Sequence, residues 1–307
     1  MSGAKFDMVT ILGPTASGKT EVAVNLAIKL RGEIISADSR QIYRNMDLGT
    51  GKDLEEYQVN GVDVPYHLID IAEAGYQYNV FEFQRDFLKV YESIRGKGSF
   101  PIMCGGSGMY LEAILKGYRL IQVPVNEVRR TELHLFSLDD LTELLKKYKS
   151  INNTSDTENK KRAIRAIEIE EFCLAHPETD LSFPKINSLI VGVKYDRDSR
   201  RRRITTRLKQ RIDNGMIDEV KKLIDNGLKP ENLTYYGLEY KYLTLYITGR
   251  LTYDEMFEGL NTAIHQFAKR QMTWFRKMER EGFDIKWLDG YMPAEEKTDK
   301  IISWLNH

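Results

Sequence analysis

Residues 7–12, DMVTIL, form an apolar and partly β-branched run that ends at Gly13. A short run of this kind predicts a buried strand. GPTASGKT follows, and then EVAVNLAIKL, whose apolar residues recur at helical spacing as far as Gly32, taken as the helix stop. EIISAD (33–38) predicts a second strand. FEFQRDFLKVYESIRGKG predicts a helix with Phe83, Phe87 and Val90 turned inward. FPIMCGG (100–106) predicts a third buried strand, and SGMYLEAILKG a helix that begins at Ser107. Strands alternating with helices predict an α/β fold, a parallel sheet with helices on both faces.

The pattern changes after about residue 117. LDDLTELLKKYKS and ENKKRAIRAIEIEEFCLAH are both helical, with the polar break NNTSDT and no strand between them. This predicts a small all-helical insertion, residues 118–184, in a core made of 1–117 and 185–307. INSLIVGVKYD (186–196) then returns to the sheet as a strand. A basic helix follows over 200–227, with Ile204, Leu208, Ile212 and Met216 as its buried face and Gly227 as its stop. The rest of the chain is expected to be mostly helical.

Composition adds limits. The chain has 307 residues, which at roughly 150 residues per domain suggests two domains. It is 42% hydrophobic and 29% charged, with formal net charge +0. Those values describe an ordinary globular protein. A nucleic-acid binder with no net charge has to segregate its basic residues locally. The two cysteines, Cys104 and Cys173, are too far apart for a metal-spaced pair and read as reduced thiols. No run of about 18 apolar residues predicts a membrane span. With no signal-peptide pattern either, a cytoplasmic location is expected.

Five segments carry chemistry. Gly13, Pro14, Thr15, Ala16, Ser17, Gly18, Lys19 and Thr20 satisfy G-x-x-x-x-G-K-[ST] between a predicted strand and a predicted helix. Glycines let the backbone wrap phosphate oxygens, and the amides at the helix start supply positive potential. Lys19 adds a point charge, and the Thr20 hydroxyl suits Mg²⁺. The loop says phosphate; it does not say nucleotide.

The second segment is ISADSRQIY (35–43), continuing into MDLGTGK (46–52). Asp38 ends a strand, on the side of a parallel sheet where ligands gather. Its carboxylate suits a general base or a Mg²⁺ contact, and equally a helix cap. In the third, CGGSGMY (104–110), Ser107 offers a hydroxyl, or again only a cap. The fourth is an arginine row, Arg203, Arg207 and Arg211, four apart on one helical face. Such a face either closes over a diphosphate or is simply solvated. The fifth, HQFAKRQMTWFRK (265–277), interleaves basic and aromatic residues. That pattern suits phosphate contact and base stacking, and also suits an ordinary amphipathic helix. His67, near Asp70 in PYHLIDI, reads as a structural hydrogen-bonder.

Taken together, GPTASGKT, ISADSRQIYRNMDLGTGK, PYHLIDI, CGGSGMYLEAIL and QFAKRQMTWFRK resemble the tRNA dimethylallyltransferase family, also called isopentenyl-tRNA transferases, in family order over nearly the whole chain. The resemblance implies a P-loop NTPase-like core with a helical insertion. It implies transfer of a dimethylallyl group from dimethylallyl diphosphate to the exocyclic N6 amine of the adenosine 3′ of the anticodon in tRNA, with release of diphosphate. It implies that the P-loop, residues 13–20, holds the diphosphate with Mg²⁺ at Thr20. Asp38 falls at the family's proposed general base, Ser107 at a hydroxyl position beside it, and Arg207 at the diphosphate-contacting arginine, with Arg203 one turn earlier. Asp38, Ser39, Arg40 and Gln41 fall where the target nucleotide is met. Lys161, Arg162 and Arg165 in the insertion, and Lys269 and Arg270 in the last motif, fall in tRNA-contacting stretches. A monomer with no membrane partner is expected.

The sequence departs from the family in two places. The insertion is short, and Glu239 in YYGLEYK (235–241) stands where the family has a glycine. A P-loop small-molecule or nucleotide kinase is the competing reading. It shares the loop and the sheet, but requires a lid, and no segment here reads as one.

Overall fold

The computed structural model of the chain describes residues 5–151, 156–177 and 182–306. Residues 152–155 of the NNTSDT break therefore lie outside the described residues. The first stretch runs β1 (Met8–Leu12), α1 (Lys19–Leu30), β2 (Gly32–Ser36), a short hairpin of β3 (Gln58–Val59) and β4 (Val62–Asp63), β5 (Tyr66–His67), α2 (Val80–Gly96), β6 (Phe100–Gly105) and α3 (Gly108–Leu115). Three helices follow, α4 (Glu127–His134), α5 (Leu138–Tyr148) and α6 (Lys160–Ala175). The chain continues through β7 (Ser188–Lys194), α7 (Arg197–Arg211), α8 (Ile217–Asp225), α9 (Pro230–Leu233), α10 (Leu238–Ile247), α11 (Tyr253–Arg280), β8 (Ile285–Asp289) and α12 (Ala294–Asn306).

The described residues fall into two compact units, Met1–Tyr118 with Pro184–His307, and Arg119–Phe183. The first holds a parallel sheet in the order β5-β2-β6-β1-β7-β8. It is the α/β sheet flanked by helices that the alternating pattern predicts. All five residues of β1 and of β2 are buried, as parallel strands covered on both faces require. Val9, Ile11, Ile34, Ile102 and Val191 pack with Val22, Leu26 and Ile301 from α1 and α12. In the second unit, Leu133, Leu141, Leu145, Ile164 and Ile167 form a separate core between its three helices. No helix among the described residues is long and apolar enough to cross a membrane.

Three local expectations are corrected, and one strand is added. Gly32 is the first residue of β2 rather than a helix stop: Arg31, at φ 51°, turns the chain out of α1. A Cβ at Gly32 would lie 2.6 Å from the Phe100 carbonyl oxygen, so close strand approach demands the glycine. The basic helix over 200–227 is interrupted: residues 212–216 form a wide turn with Gly215 at φ 98°, and α8 starts afresh at Ile217. The C-terminal region is mostly helical, as expected, and IKWLD adds β8 at the sheet edge. His67 bonds to Glu33 at 2.7 Å rather than to Asp70, because β5 pairs beside β2.

Candidate active site

The strands β1, β2 and β6 end side by side, and each delivers one loop to the same edge of the sheet. After β1 the chain turns through Gly13 to Gly18, the latter in the left-handed region (φ 76°), and α1 opens at Lys19. Three contacts hold this loop. A Cβ at Gly13 would lie 2.7 Å from the Val193 carbonyl, so the loop sits hard against β7. The Arg203 Nε donates to the Ala16 carbonyl at 3.0 Å. The Thr15 amide donates to the Gln271 Oε1 at 2.9 Å, and the Gln271 Nε2 donates to the Gly106 carbonyl at 2.9 Å.

Asp38 and Ser107 meet where β2 and β6 end. Ser107 Oγ accepts from the Ser39 amide at 3.0 Å and lies 3.2 Å from Ser39 Oγ. Asp38 Oδ1 accepts from the Arg40 amide at 2.9 Å, a local turn bond that leaves Oδ2 without a hydrogen bond among the described residues. One oxygen therefore caps a turn rather than a helix, and the side chain lines the cleft. Ser107 heads α3 without a side-chain capping bond.

Arg203, Arg207 and Arg211 approach from α7. Arg207 pairs with the Asp53 carboxylate, and Arg211 Nη2 lies 3.3 Å from the same group. Burial raises the Asp53 carboxyl, but Arg207 and then Arg211 outweigh it and hold the group below the usual carboxylate range. Burial, with the Asp53 charge behind it, pushes Glu56 up. Burial also pushes the Lys19 ammonium down, while the Asp38 charge works the other way. Lysine, arginines and carboxylates thus face one another closely enough to interact.

These groups line one cleft of about 1270 Å³. Aromatic and aliphatic side chains line it as well: Tyr110, Tyr235, Ile264, Phe267 and Trp274. Ser17 Oγ, Trp274 Nε1 and Arg211 Nε are buried without hydrogen-bond partners, and all three residues line the cleft. All three atoms are able to donate. A ligand that combines acceptor oxygens with apolar surface matches this lining chemically.

Residues 41–278 match the family model described as IPP transferase. The chain is 62% identical to tRNA dimethylallyltransferase 2 of Bacteroides fragilis over 98% of both chains. It is 60% identical to the enzyme of the same name in Phocaeicola vulgatus, again over 98% of both. The chain belongs to the IPP transferase family. Among solved structures, the tRNA isopentenylpyrophosphate transferase of Bacillus halodurans superposes with a TM-score of 0.72 at 32% identity, covering 98% of this chain and 95% of that one. A eukaryotic dimethylallyltransferase acting on tRNA shares the fold, with a TM-score of 0.76 at 23% identity over 92% of this chain and 74% of that one.

In this IPP transferase, Thr15 to Thr20, Asp38, Ser39, Arg40, Gln41, Ser107, Arg203, Arg207 and Arg270 all line the cleft. Gly13 and Pro14 are buried behind the loop. Arg40 Nη1 donates to the Tyr235 carbonyl at 2.7 Å, and Gln41 spans from Ser36 Oγ to the Gly51 carbonyl. Lys269 is exposed and does not line the cleft. Lys161, Arg162 and Arg165 lie on α6 of the second unit. There Lys161 is exposed, Arg162 pairs with Glu158, and Arg165 binds Glu168 and the Val123 carbonyl.

Three further residues hold the site together in roles the motifs do not announce, although Gln271 lies within the fifth motif and Asp53 directly follows the second. Gln271 braces two loops. Asp53 receives two arginines. Glu219 accepts from the amides of Asp47, Leu48 and Gly49 at 2.8, 2.7 and 3.0 Å and from Tyr240 Oη at 2.6 Å. Glu219 is distant in sequence from the loop it holds, so no local pattern announces it. Glu239 lines the cleft as well, and burial followed by the Asp38 charge pushes its carboxyl up.

Proposed function

We propose that this chain transfers the dimethylallyl group of dimethylallyl diphosphate to the N6 amine of the adenosine 3′ of the anticodon in tRNA. One observation carries the reading: the phosphate loop after β1 and the Asp38 carboxylate after β2 line a single cleft together with aromatic side chains. The amine is a weak nucleophile because its lone pair is shared with the ring. It needs a base on one side and a stabilised leaving group on the other. The N–C bond forms as the C–O bond to diphosphate breaks, and the amine proton passes to Asp38. Ser107, bonded to Ser39, holds the turn that presents Asp38 and offers its hydroxyl to the amine.

Lys19, the loop amides and Arg207 meet the charge that grows on the departing diphosphate, with Arg203 anchoring the loop from behind. Among the described residues no group of three or more His, Cys, Asp and Glu could cage a metal. The Thr20 hydroxyl at the helix start would hold a Mg²⁺, which would supply further charge neutralisation of the leaving group. The adenine has to leave the anticodon loop to enter the cleft, and Phe267, Trp274 and Tyr235 offer stacking faces for it. Ser39, Arg40, Gln41 and Arg270 line the same space, and Lys161, Arg162, Arg165 and Lys269 would contact the RNA backbone outside it.

The test is to incubate the purified protein with labelled dimethylallyl diphosphate, Mg²⁺ and unmodified tRNA, with an ATP-hydrolysis assay in parallel. Label in RNA supports the reading. No label, with ATP turnover on a small acceptor, returns the cleft to the kinase class.

A further inference from the structure

Arg207 and Arg211 stand on successive turns of α7, and each gives a terminal nitrogen to one carboxylate. Arg207 Nη2 donates to Asp53 Oδ2, and Arg211 Nη2 lies 3.4 and 3.3 Å from Oδ1 and Oδ2. Asp53 adopts φ 43°, a left-handed conformation that a non-glycine residue takes only when its surroundings enforce it. Those surroundings are visible. Lys52, next in the chain, is buried and bonds to the Tyr43 carbonyl at 2.7 Å, to Asp47 at 2.6 Å and to Asp70. The Gly51 carbonyl takes the Gln41 amide at 3.0 Å. A Cβ at Gly51 would sit 1.8 Å from Arg211 Nη2, so the loop backbone lies directly on that guanidinium. The carboxylate is therefore a fixed point, while the arginines it receives are long and jointed.

We propose that Asp53 is a positioning residue that aims the Arg207 guanidinium at the leaving diphosphate. The proposal rests on the prenyl-transfer reading of the cleft. Asp53 takes only Nη2 of Arg207, and no hydrogen bond occupies Nε or Nη1 among the described residues. Those two nitrogens remain free to meet phosphate oxygens. Arg207 also repels Lys19 and Arg211, and behind the larger effect of burial its charge works to lower the pKa of each. A carboxylate between the two guanidiniums lets three cations converge on one spot before any anion arrives. A competing role, in which Asp53 merely occupies Arg207 until diphosphate displaces it, predicts the opposite sign for every binding measurement below.

The experiment compares wild type, Asp53→Asn and Asp53→Glu in tRNA prenylation and in inhibition by inorganic diphosphate. In Asp53→Asn, kcat/KM for dimethylallyl diphosphate falls about 10-fold and inhibition by diphosphate weakens about 10-fold, the size usual for a lost orienting partner. The KM for tRNA stays as in wild type, and Asp53→Glu recovers most of the loss. In an Arg207→Ala background, Asp53→Asn adds no further loss, because its effect runs through that arginine. Tighter or unchanged diphosphate inhibition in Asp53→Asn overturns the proposal, as does an undiminished loss in the Arg207→Ala background. If wild type itself puts no label into tRNA, the prenyl-transfer reading fails instead, so the two failures are distinguishable.

Discussion

Gln271 and Thr15, 256 residues apart, meet at 2.9 Å, the backbone amide of the phosphate loop donating to the side-chain oxygen. The other end of the same side chain donates to the Gly106 carbonyl. One buried amide on α11 thereby sets the distance between the phosphate loop and the loop that carries Ser107. Gln271→Leu keeps the bulk and removes both bonds. It is expected to cost about 1–3 kcal/mol of stability in urea titrations, from the orphaned partners. Transfer should fall more than stability implies, by about 100-fold, because the two loops lose their spacing.

Gly105 ends β6 tightly against Ala37, the residue after β2. A Cβ there would lie 2.2 Å from the Ala37 carbonyl, which is backbone and has no rotamer by which to give way. Gly105→Ala is expected to destabilise the fold by about 1–3 kcal/mol, the usual cost of overpacking. It should also depress transfer in the surviving folded fraction, because Asp38 and Ser107 ride on the two strand ends that must separate. Denaturant midpoints and activity per folded molecule read the two effects separately.

Glu239 yields a pH-dependent prediction. Burial and the Asp38 charge raise its carboxyl, with Arg211 and Arg40 opposing. An acid raised in the folded state still titrates at its ordinary value when unfolded. As pH climbs past that ordinary value the unfolded chain loses its proton first, so stability falls until the folded group ionises too. Glu239→Gln removes that penalty. Its Tm should exceed wild type by about 2 °C at pH 8 and match it near pH 4. A Tm difference that is largest at pH 4 contradicts this reading.

Local signals made much of the fold legible. The apolar runs at β1, β2, β6 and β7 announced strands buried on both faces, and the phosphate loop announced itself by position between a strand and a helix. β8 escaped because IKWLD is only partly buried at the sheet edge and follows a long helix. The break at Gly215 escaped because Ile204, Leu208, Ile212 and Met216 keep helical spacing across it and are all buried. In α11 the sequence marked Lys269 and Arg270 alike as basic. The helix turns Arg270 to the cleft and Lys269 away from it. Glu219, Gln271 and Asp53 act through bonds that span 150 residues or more, as in the Asp53–Arg207 and Glu219–Gly49 pairs. Such bonds exist only once the sheet has brought the loops together, and leave no trace in a window of sequence.

In the proposed reaction the cleft joins a diphosphate site to a base at Asp38. Single-turnover transfer of labelled dimethylallyl groups to tRNA by Asp38→Asn, with diphosphate binding measured on the same preparation, tests it most directly. Transfer is expected to be slower by about 10²–10⁴-fold, the contribution of a positioned base, with diphosphate bound no more weakly than by wild type. Wild-type transfer rates, or a loss of diphosphate binding that accounts for the whole defect, would contradict it.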